Sequence, residues 1–179
     1  MAKIVYYVAS SIDGFISGMN EDMSGFIYQS EGVEKYLKEL ESFKTVIMGR
    51  NTYEFGYKFG AKAGEQSPVY MHMKHYIFSN TLKFENQSDM VEVKKIDLKE
   101  VQRIKATSET DIYLCGGGTL AGWLLENEEI DVLKIKLNPI ILGGGVKIFE
   151  NITKKYQLEL VESLLFDKGL QTISYNITY

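Results

Sequence analysis

The sequence predicts an α/β fold: a mixed, mainly parallel sheet with flanking helices and an antiparallel hairpin at the C-terminus. Three observations predict it. Short apolar runs without alternation, such as Ile4 to Ala9 and Thr45 to Met48, mark strands covered on both faces. Loop or helical stretches separate these runs, as in strand–helix units. Past Glu129 the helical pattern stops and alternating segments take over.

In order, the first strand runs from Ile4 to Ala9. Ser10 to Ser30 then carries Gly14, Gly18 and Gly25 among polar residues and reads as a long loop, a length that is often functional. Ser30 suits an N-cap, with Glu31 and Glu34 at the positive end of a helix. Val33, Tyr36, Leu37, Leu40 and Phe43 give that helix an apolar stripe. Thr45 to Met48 is a buried strand, and a short helix starts near Gly49. Gly56, Gly60 and Gly64 make a loop before the strand Tyr76 to Phe78. Met90 to Val93 is a strand, and Asp97 caps a helix through Val101 and Ile104. Ile112 to Leu114 is a strand running into Gly116, and Leu120 to Leu125 a helix ending near Asn127.

Val132 to Leu137 sets Val/Lys/Lys against Leu/Ile/Leu, which predicts a strand with one solvated face. Tyr156 to Phe166 and Leu170 to Tyr179 flank the turn Asp167-Lys168-Gly169 and predict the closing hairpin.

The chain has 179 residues, which fits a single domain over 1–179. Hydrophobic residues are 45% and charged residues 25%, so it is no disordered chain. Twenty Lys and Arg against 24 Asp and Glu leave a net charge of −4, with no basic field for nucleic acid or an anionic membrane. One cysteine, Cys115, excludes an internal disulfide, and two histidines supply no histidine-rich metal site. No signal peptide or membrane-length apolar run is read. The expectation is a soluble cytoplasmic protein that binds no metal.

The 16 glycines are the unusual feature against only 2 prolines. Gly116-Gly117-Gly118 follows a buried strand and precedes a helix. Chain without Cβ lets a ligand lie on the backbone, and three glycines exceed what a turn needs, which favours a pyrophosphate over a tight turn. Gly116, Gly118 and Ala121 match G-x-G-x-x-A, but no carboxylate ends the next strand, so the doubly wound dinucleotide fingerprint fails. Gly49-Arg50-Asn51-Thr52 offers backbone amides and a forked donor for a phosphate, or else a tight turn with a solvated arginine. Ser79-Asn80-Thr81 reads as a phosphate contact or a capped turn. Gly143-Gly144-Gly145 reads as a bulge or turn, or as a further ligand contact. Asp13 is the most suggestive carboxylate for proton transfer, with an Asx turn as its plainer reading.

Five segments in order resemble the dihydrofolate reductase-like superfamily. They are Ser10 to Ile16, Val46 to Tyr53, Ile77 to Asn80, Leu114 to Leu120, and Asn138 to Gly145. The closer resemblance is to the branch of the C-terminal reductase domain of bacterial riboflavin biosynthesis, the RibD C-terminal domain. The resemblance implies an NADPH-dependent reductase acting on a small heterocyclic or carbonyl substrate, similar to 5-amino-6-(5-phosphoribosylamino)uracil reductase. It implies phosphate contacts from Gly49, Arg50, Asn51 and Thr52, with Arg50 near the 2′-phosphate or pyrophosphate. Ser79 and Asn80 would lie at the adenosine end. Gly116, Gly117, Gly118, Thr119 and Leu120 would cradle the pyrophosphate and nicotinamide ribose. Ala9 and Ile16 would border the nicotinamide, and Phe15 and the catalytic candidate Asp13 its substrate side.

Dihydrofolate reductases carry a carboxylate on the first helix, and that spacing falls near Val33 here, with Glu31 and Glu34 unmatched. This argues against true dihydrofolate reductase activity. The cysteine–histidine deaminase domain of bifunctional members is not present, so a stand-alone reductase is expected. The alternative is a nucleotide-binding module without catalysis. Members of the family are often homodimers, and the alternating tail suits pairing of two copies.

Overall fold

The apolar runs become the centre of one sheet, because their β-branched and aromatic residues are buried by helices on both sides. A computed structural model describes residues 1–179. The elements are β1 (Ile4–Ser10), β2 (Phe15–Ser17), α1 (Glu31–Leu40), β3 (Thr45–Gly49), α2 (Arg50–Phe55), β4 (Lys74–Phe78), β5 (Val91–Lys94), α3 (Leu98–Thr107), β6 (Ile112–Gly116), α4 (Gly118–Glu126), β7 (Val132–Leu137), β8 (Val146–Lys147), β9 (Gln157–Leu165) and β10 (Gln171–Thr178). The main sheet has eight strands in the order β5-β4-β3-β6-β1-β7-β10-β9. From β5 to β7 every pairing is parallel, while β7–β10 and β10–β9 are antiparallel. The mixed sheet and the closing hairpin are as the sequence predicts.

Side chains on β1 alternate between two cores. Ile4, Tyr6 and Val8 pack with Val101 and Ile104 of α3 and Leu120 and Leu124 of α4. Val5 and Tyr7 point the other way, toward Leu40 of α1 and Phe43. Ser30 caps α1 as expected, its hydroxyl accepting from the Val33 amide at 3.2 Å. Asp97 caps α3 in the same way through the Lys99 amide. Leu37, counted into the apolar stripe, is largely exposed.

The first turn of α1 rests on the hairpin. The Glu31 amide donates to Asp167 Oδ1 at 3.0 Å, and Lys168 Nζ donates to the Gln29 carbonyl at 2.5 Å. At Gly32 a Cβ would come within 2.8–2.9 Å of Phe166 and Leu170, so glycine sets this contact.

Two expectations are corrected. The Ser10 to Ser30 stretch is not all loop, since β2 pairs antiparallel with β8. The second glycine triplet opens that pairing. Gly145 has φ +133°, and a Cβ there would lie 2.0 Å from the Ser17 carbonyl. The lysine face of β7 is not solvated either. Helix α1 covers it, Lys134 is partly buried and Lys136 is only 9% exposed. The alternation correctly marks two faces, but not which of them a distant helix covers.

Candidate active site

Strands β3, β6 and β1 lie side by side and end at Gly49, Gly116 and Ser10. From this centre the chain winds outward through β4 and β5 on one side and reaches β7 on the other. In such sheets the crevice at the carboxyl ends of the central strands is where ligands bind. Gly117 precedes α4 with φ +90°, and no side chain caps that helix. The first-turn amides therefore keep their positive end at the crevice without a competing side-chain acceptor.

The glycine triplet has structural reasons that the sequence did not reveal. Gly116 has φ +132° and Gly117 φ +90°, both unfavourable for side chains. A Cβ at Gly117 would lie 2.8 Å from Thr52 Oγ1, and one at Gly118 only 2.2 Å from the Lys147 carbonyl. All three glycines thus meet a structural need, contrary to the expectation that they exceed one. Gly118 lets the chain after β8 lie on α4. Thr119 Oγ1 donates to Glu150 Oε2 at 2.6 Å and Leu120 is buried in the core, so each engages the protein through its side chain.

Arg50 joins two of the predicted segments. Its Nε donates to Glu54 Oε1 at 2.8 Å and its Nη1 to Thr81 Oγ1 at 3.2 Å, with the guanidinium exposed. Ser79 Oγ accepts from the amides of Thr81 and Leu82, and Asn80 Oδ1 from the Ile96 amide. These are the bonds of a capped turn. Asn51 is exposed beside Arg50, and Thr52 lies partly buried under Gly117.

Asp13 fastens the loop after β1 to the second glycine triplet. Its carboxylate accepts from Ser11 Oγ at 2.6 Å and from the amides of Leu142 and Gly143 at 3.0 and 2.7 Å. The Ser11 hydroxyl and these amides hold its pKa down at about 2. Such a group is ionised at neutral pH and has no proton to give, and two of its three partners are amides of a distant loop, so it is neither a proton donor nor the local Asx turn of the plainer reading. The Phe15 amide donates to Ser11 Oγ at 3.0 Å, and Ile16 packs on the core formed with α4. Ala9, partly buried, is the register partner of Lys136.

Lys136 is the residue that sequence reasoning missed. Its Nζ lies 4.2 Å from the centre of the Tyr36 ring and makes no hydrogen bond or ion pair. Burial lowers its pKa to about 8, with no charged neighbour contributing. Lys134 differs: its Nζ pairs with Glu39 Oε2 of α1 at 2.7 Å. Opposite Lys136 stands Thr172, fully buried, with an Oγ1 that has no partner. The buried Tyr7 hydroxyl lies beside it and beside Glu39.

The model of the RibD C-terminal domain family matches residues 2–172. The chain belongs to this family. A curated relative, the uncharacterised protein YyaP of Bacillus subtilis (strain 168), is 24% identical and the match covers 97% of this chain and 94% of YyaP. Among solved structures, a candidate riboflavin biosynthesis protein from Shewanella sp. PV-4 superposes with a TM-score of 0.81 at 24% identity, covering both chains in full. The deaminase/5-amino-6-(5-phosphoribosylamino)uracil reductase of Thermotoga maritima gives 0.73 at 13% identity, over 99% of this chain and 57% of that one. Enterococcus faecalis dihydrofolate reductase, complexed with NADP(H), gives 0.70 at 16% identity, over 99% and 97%. This RibD C-terminal domain thus has the dihydrofolate reductase-like fold. No helix in it is long and apolar enough to cross a membrane.

Proposed function

We propose that this RibD C-terminal domain is an NADPH-dependent reductase of a small heterocyclic or carbonyl substrate. The observation that carries the reading is the crevice itself. An uncapped nine-residue helix, two positive-φ glycines and an exposed arginine meet where three parallel strands end. That set fits a dinucleotide phosphate: amides for the pyrophosphate and a guanidinium for a further phosphate. The NADP(H) in the Enterococcus enzyme of the same fold supports the choice of cofactor. Arg50, with Asn51 and Thr52, would hold the 2′-phosphate end near Ser79 and Asn80. The backbone of Gly116 to Leu120 would hold the pyrophosphate. Ala9, Phe15 and Ile16 would flank the nicotinamide, which supplies the hydride when bound.

Fluorescence titration with NADPH and NADH tests this. NADPH is expected to bind at least tenfold more tightly, and absence of binding by both refutes the reading. A second reading, a nucleotide-binding module without catalysis, draws on Asp13 being committed to the amides of Leu142 and Gly143 and on Glu31 and Glu34 being exposed on α1. NADPH binding without oxidation by any substrate would favour it. The exposure of those two glutamates also speaks against a dihydrofolate reductase activity that would use them.

The protein would work as a homodimer through β9. This edge strand exposes Leu158, Leu160, Val161 and Leu165, the last at 74%. A long apolar edge strand is a pairing template unless covered.

A further inference from the structure

Lys136 brings a positive charge to a place where no protein acceptor answers it. Its residue is 9% exposed, and an ammonium has three donors and no acceptor. The Tyr36 ring face, 4.2 Å away, attracts the charge but satisfies no N–H bond of ordinary geometry. The Tyr36 hydroxyl is itself taken by Tyr113 at 2.8 Å. Across the strand pair stands the buried Thr172 hydroxyl, next to the Tyr7 hydroxyl of β1 and Glu39 of α1. Native chains pair nearly all polar groups this far from solvent, and the Lys136 ammonium has no protein acceptor, so the place calls for a ligand with an electron-rich atom.

The position of the cluster says what the ligand does there. Lys136 is in register with Ala9, one residue before β1 ends at the crevice. It therefore stands at the same end of the sheet as Gly116 and Gly49, but under α1. We infer that Lys136 is the proton donor of this site: its ammonium meets the carbonyl oxygen or imine nitrogen of the substrate, with Thr172 as a second contact. This rests on the reductase reading above. As the C4–H bond of NADPH breaks, hydride goes to the substrate carbon and the electrons of its C=O or C=N bond move to the heteroatom. That atom takes a proton from Lys136 Nζ. NADP⁺ and the reduced product leave, and the neutral amine recovers a proton from solvent.

The surroundings favour a lysine that can change charge. From α1 it is faced by Tyr36, while Glu39 on the same helix is engaged by Lys35 and Lys134. From β1 it is faced by Ala9 and from β10 by Thr172, while Tyr7 and Ser174 stand opposite Lys134 one pair along. No free carboxylate locks it in the ammonium form, and burial brings its pKa to about 8. A donor poised near the working pH is the efficient kind.

The test compares wild type, Lys136→Met and Lys136→Arg. NADPH binding is measured first by fluorescence, and all three should bind alike, which also shows that the variants fold. NADPH oxidation is then followed with 5-amino-6-(5-phosphoribosylamino)uracil, dihydrofolate, 2-methyl-1-pyrroline and methylglyoxal. With whichever compound the wild type reduces, Lys136→Met should lose about 10²–10⁴-fold in kcat, the usual worth of a positioned acid. The wild-type rate should fall above about pH 8, and Lys136→Arg should lack that limb. Turnover that survives Lys136→Met within threefold overturns the proton-donor role and leaves the reductase reading standing. No oxidation by wild type with any of the four compounds overturns both.

Discussion

Asp13 and Gly143 are joined by a hydrogen bond of 2.7 Å that spans 130 residues of chain. With the Leu142 amide it closes the loop after β1 onto the turn before β8, so two segments of the candidate site move as one. Asp13→Asn should loosen this tie, because one carboxylate oxygen becomes an amide nitrogen that cannot accept. Hydrogen exchange should then speed up at the amides of Leu142 and Gly143, and protection unchanged from wild type would refute the clamp. The pH dependence follows from the same bonds. The folded pKa is about 2, below the ordinary value of 3.8, so the clamp is complete above pH 4 and is lost as pH falls toward 2.

Lys136→Met should stabilise the protein at pH 7. The folded pKa of about 8 lies below the ordinary 10.5, so the buried ammonium costs stability at neutral pH. Between pH 8 and 10.5 the unfolded chain holds a proton that the folded chain releases, and wild-type stability rises with pH. About 2 kcal/mol of gain is expected at pH 7, shrinking toward zero by pH 10.5. Urea melts of both proteins at pH 7 and pH 10 check the size and its decline.

Gly118→Ala and Gly143→Ala should part company. The first places a Cβ 2.2 Å from the Lys147 carbonyl, a backbone atom that cannot swing away. Overpacking of that kind costs about 1–3 kcal/mol or more, and the segment after β8 should detach from α4. The second has open space around it and pays only for its φ of +72°, about 1–2 kcal/mol. Thermal melts that rank them in the reverse order would contradict this packing.

Arg50→Ala should cost about 10–100-fold in NADPH affinity and little in NADH affinity, the worth of a charge-assisted contact to the extra phosphate. The fold should be unharmed, since the Arg50 pairs with Glu54 and Thr81 are exposed. Equal losses for both nucleotides would assign Arg50 to the shared pyrophosphate instead.

Leu160→Glu should leave a monomer. The side chain is 58% exposed on an edge strand, so the change harms no core of the single chain. Sedimentation should show the wild type as a dimer and the variant at half the mass with unchanged NADPH binding. A monomeric wild type would dispose of the β9 interface.

Local chemistry explains which features the sequence disclosed. The Ser30 and Asp97 side chains cap their helices by accepting from backbone amides two or three residues on, and Asp167 to Gly169 turns the hairpin within three residues. The five glycine and strand-end segments also carried the family. What escaped depends on contacts distant in sequence. Lys136 looks solvated in Val-Leu-Lys-Ile-Lys-Leu because its burial comes from Tyr36, a hundred residues earlier. Gly118 looks surplus because the carbonyl that needs its missing Cβ belongs to Lys147. Asp13 looks catalytic because the amides that hold it belong to residues 142 and 143. The pair β2–β8 is three residues against two, too short for any periodicity to register.

The seat of α1 on the hairpin turn has a mechanical consequence. Asp167 receives the Glu31 amide, and Phe166 and Leu170 press on Gly32. Five residues on from Glu31, the same helix presents Tyr36 to Lys136. The outer strand of that hairpin is β9, whose apolar side chains face solvent. One run of contacts therefore joins that hairpin, through its turn and α1, to the ring over Lys136. Whatever docks on that edge touches the same hairpin on which the helix carrying Tyr36 is seated.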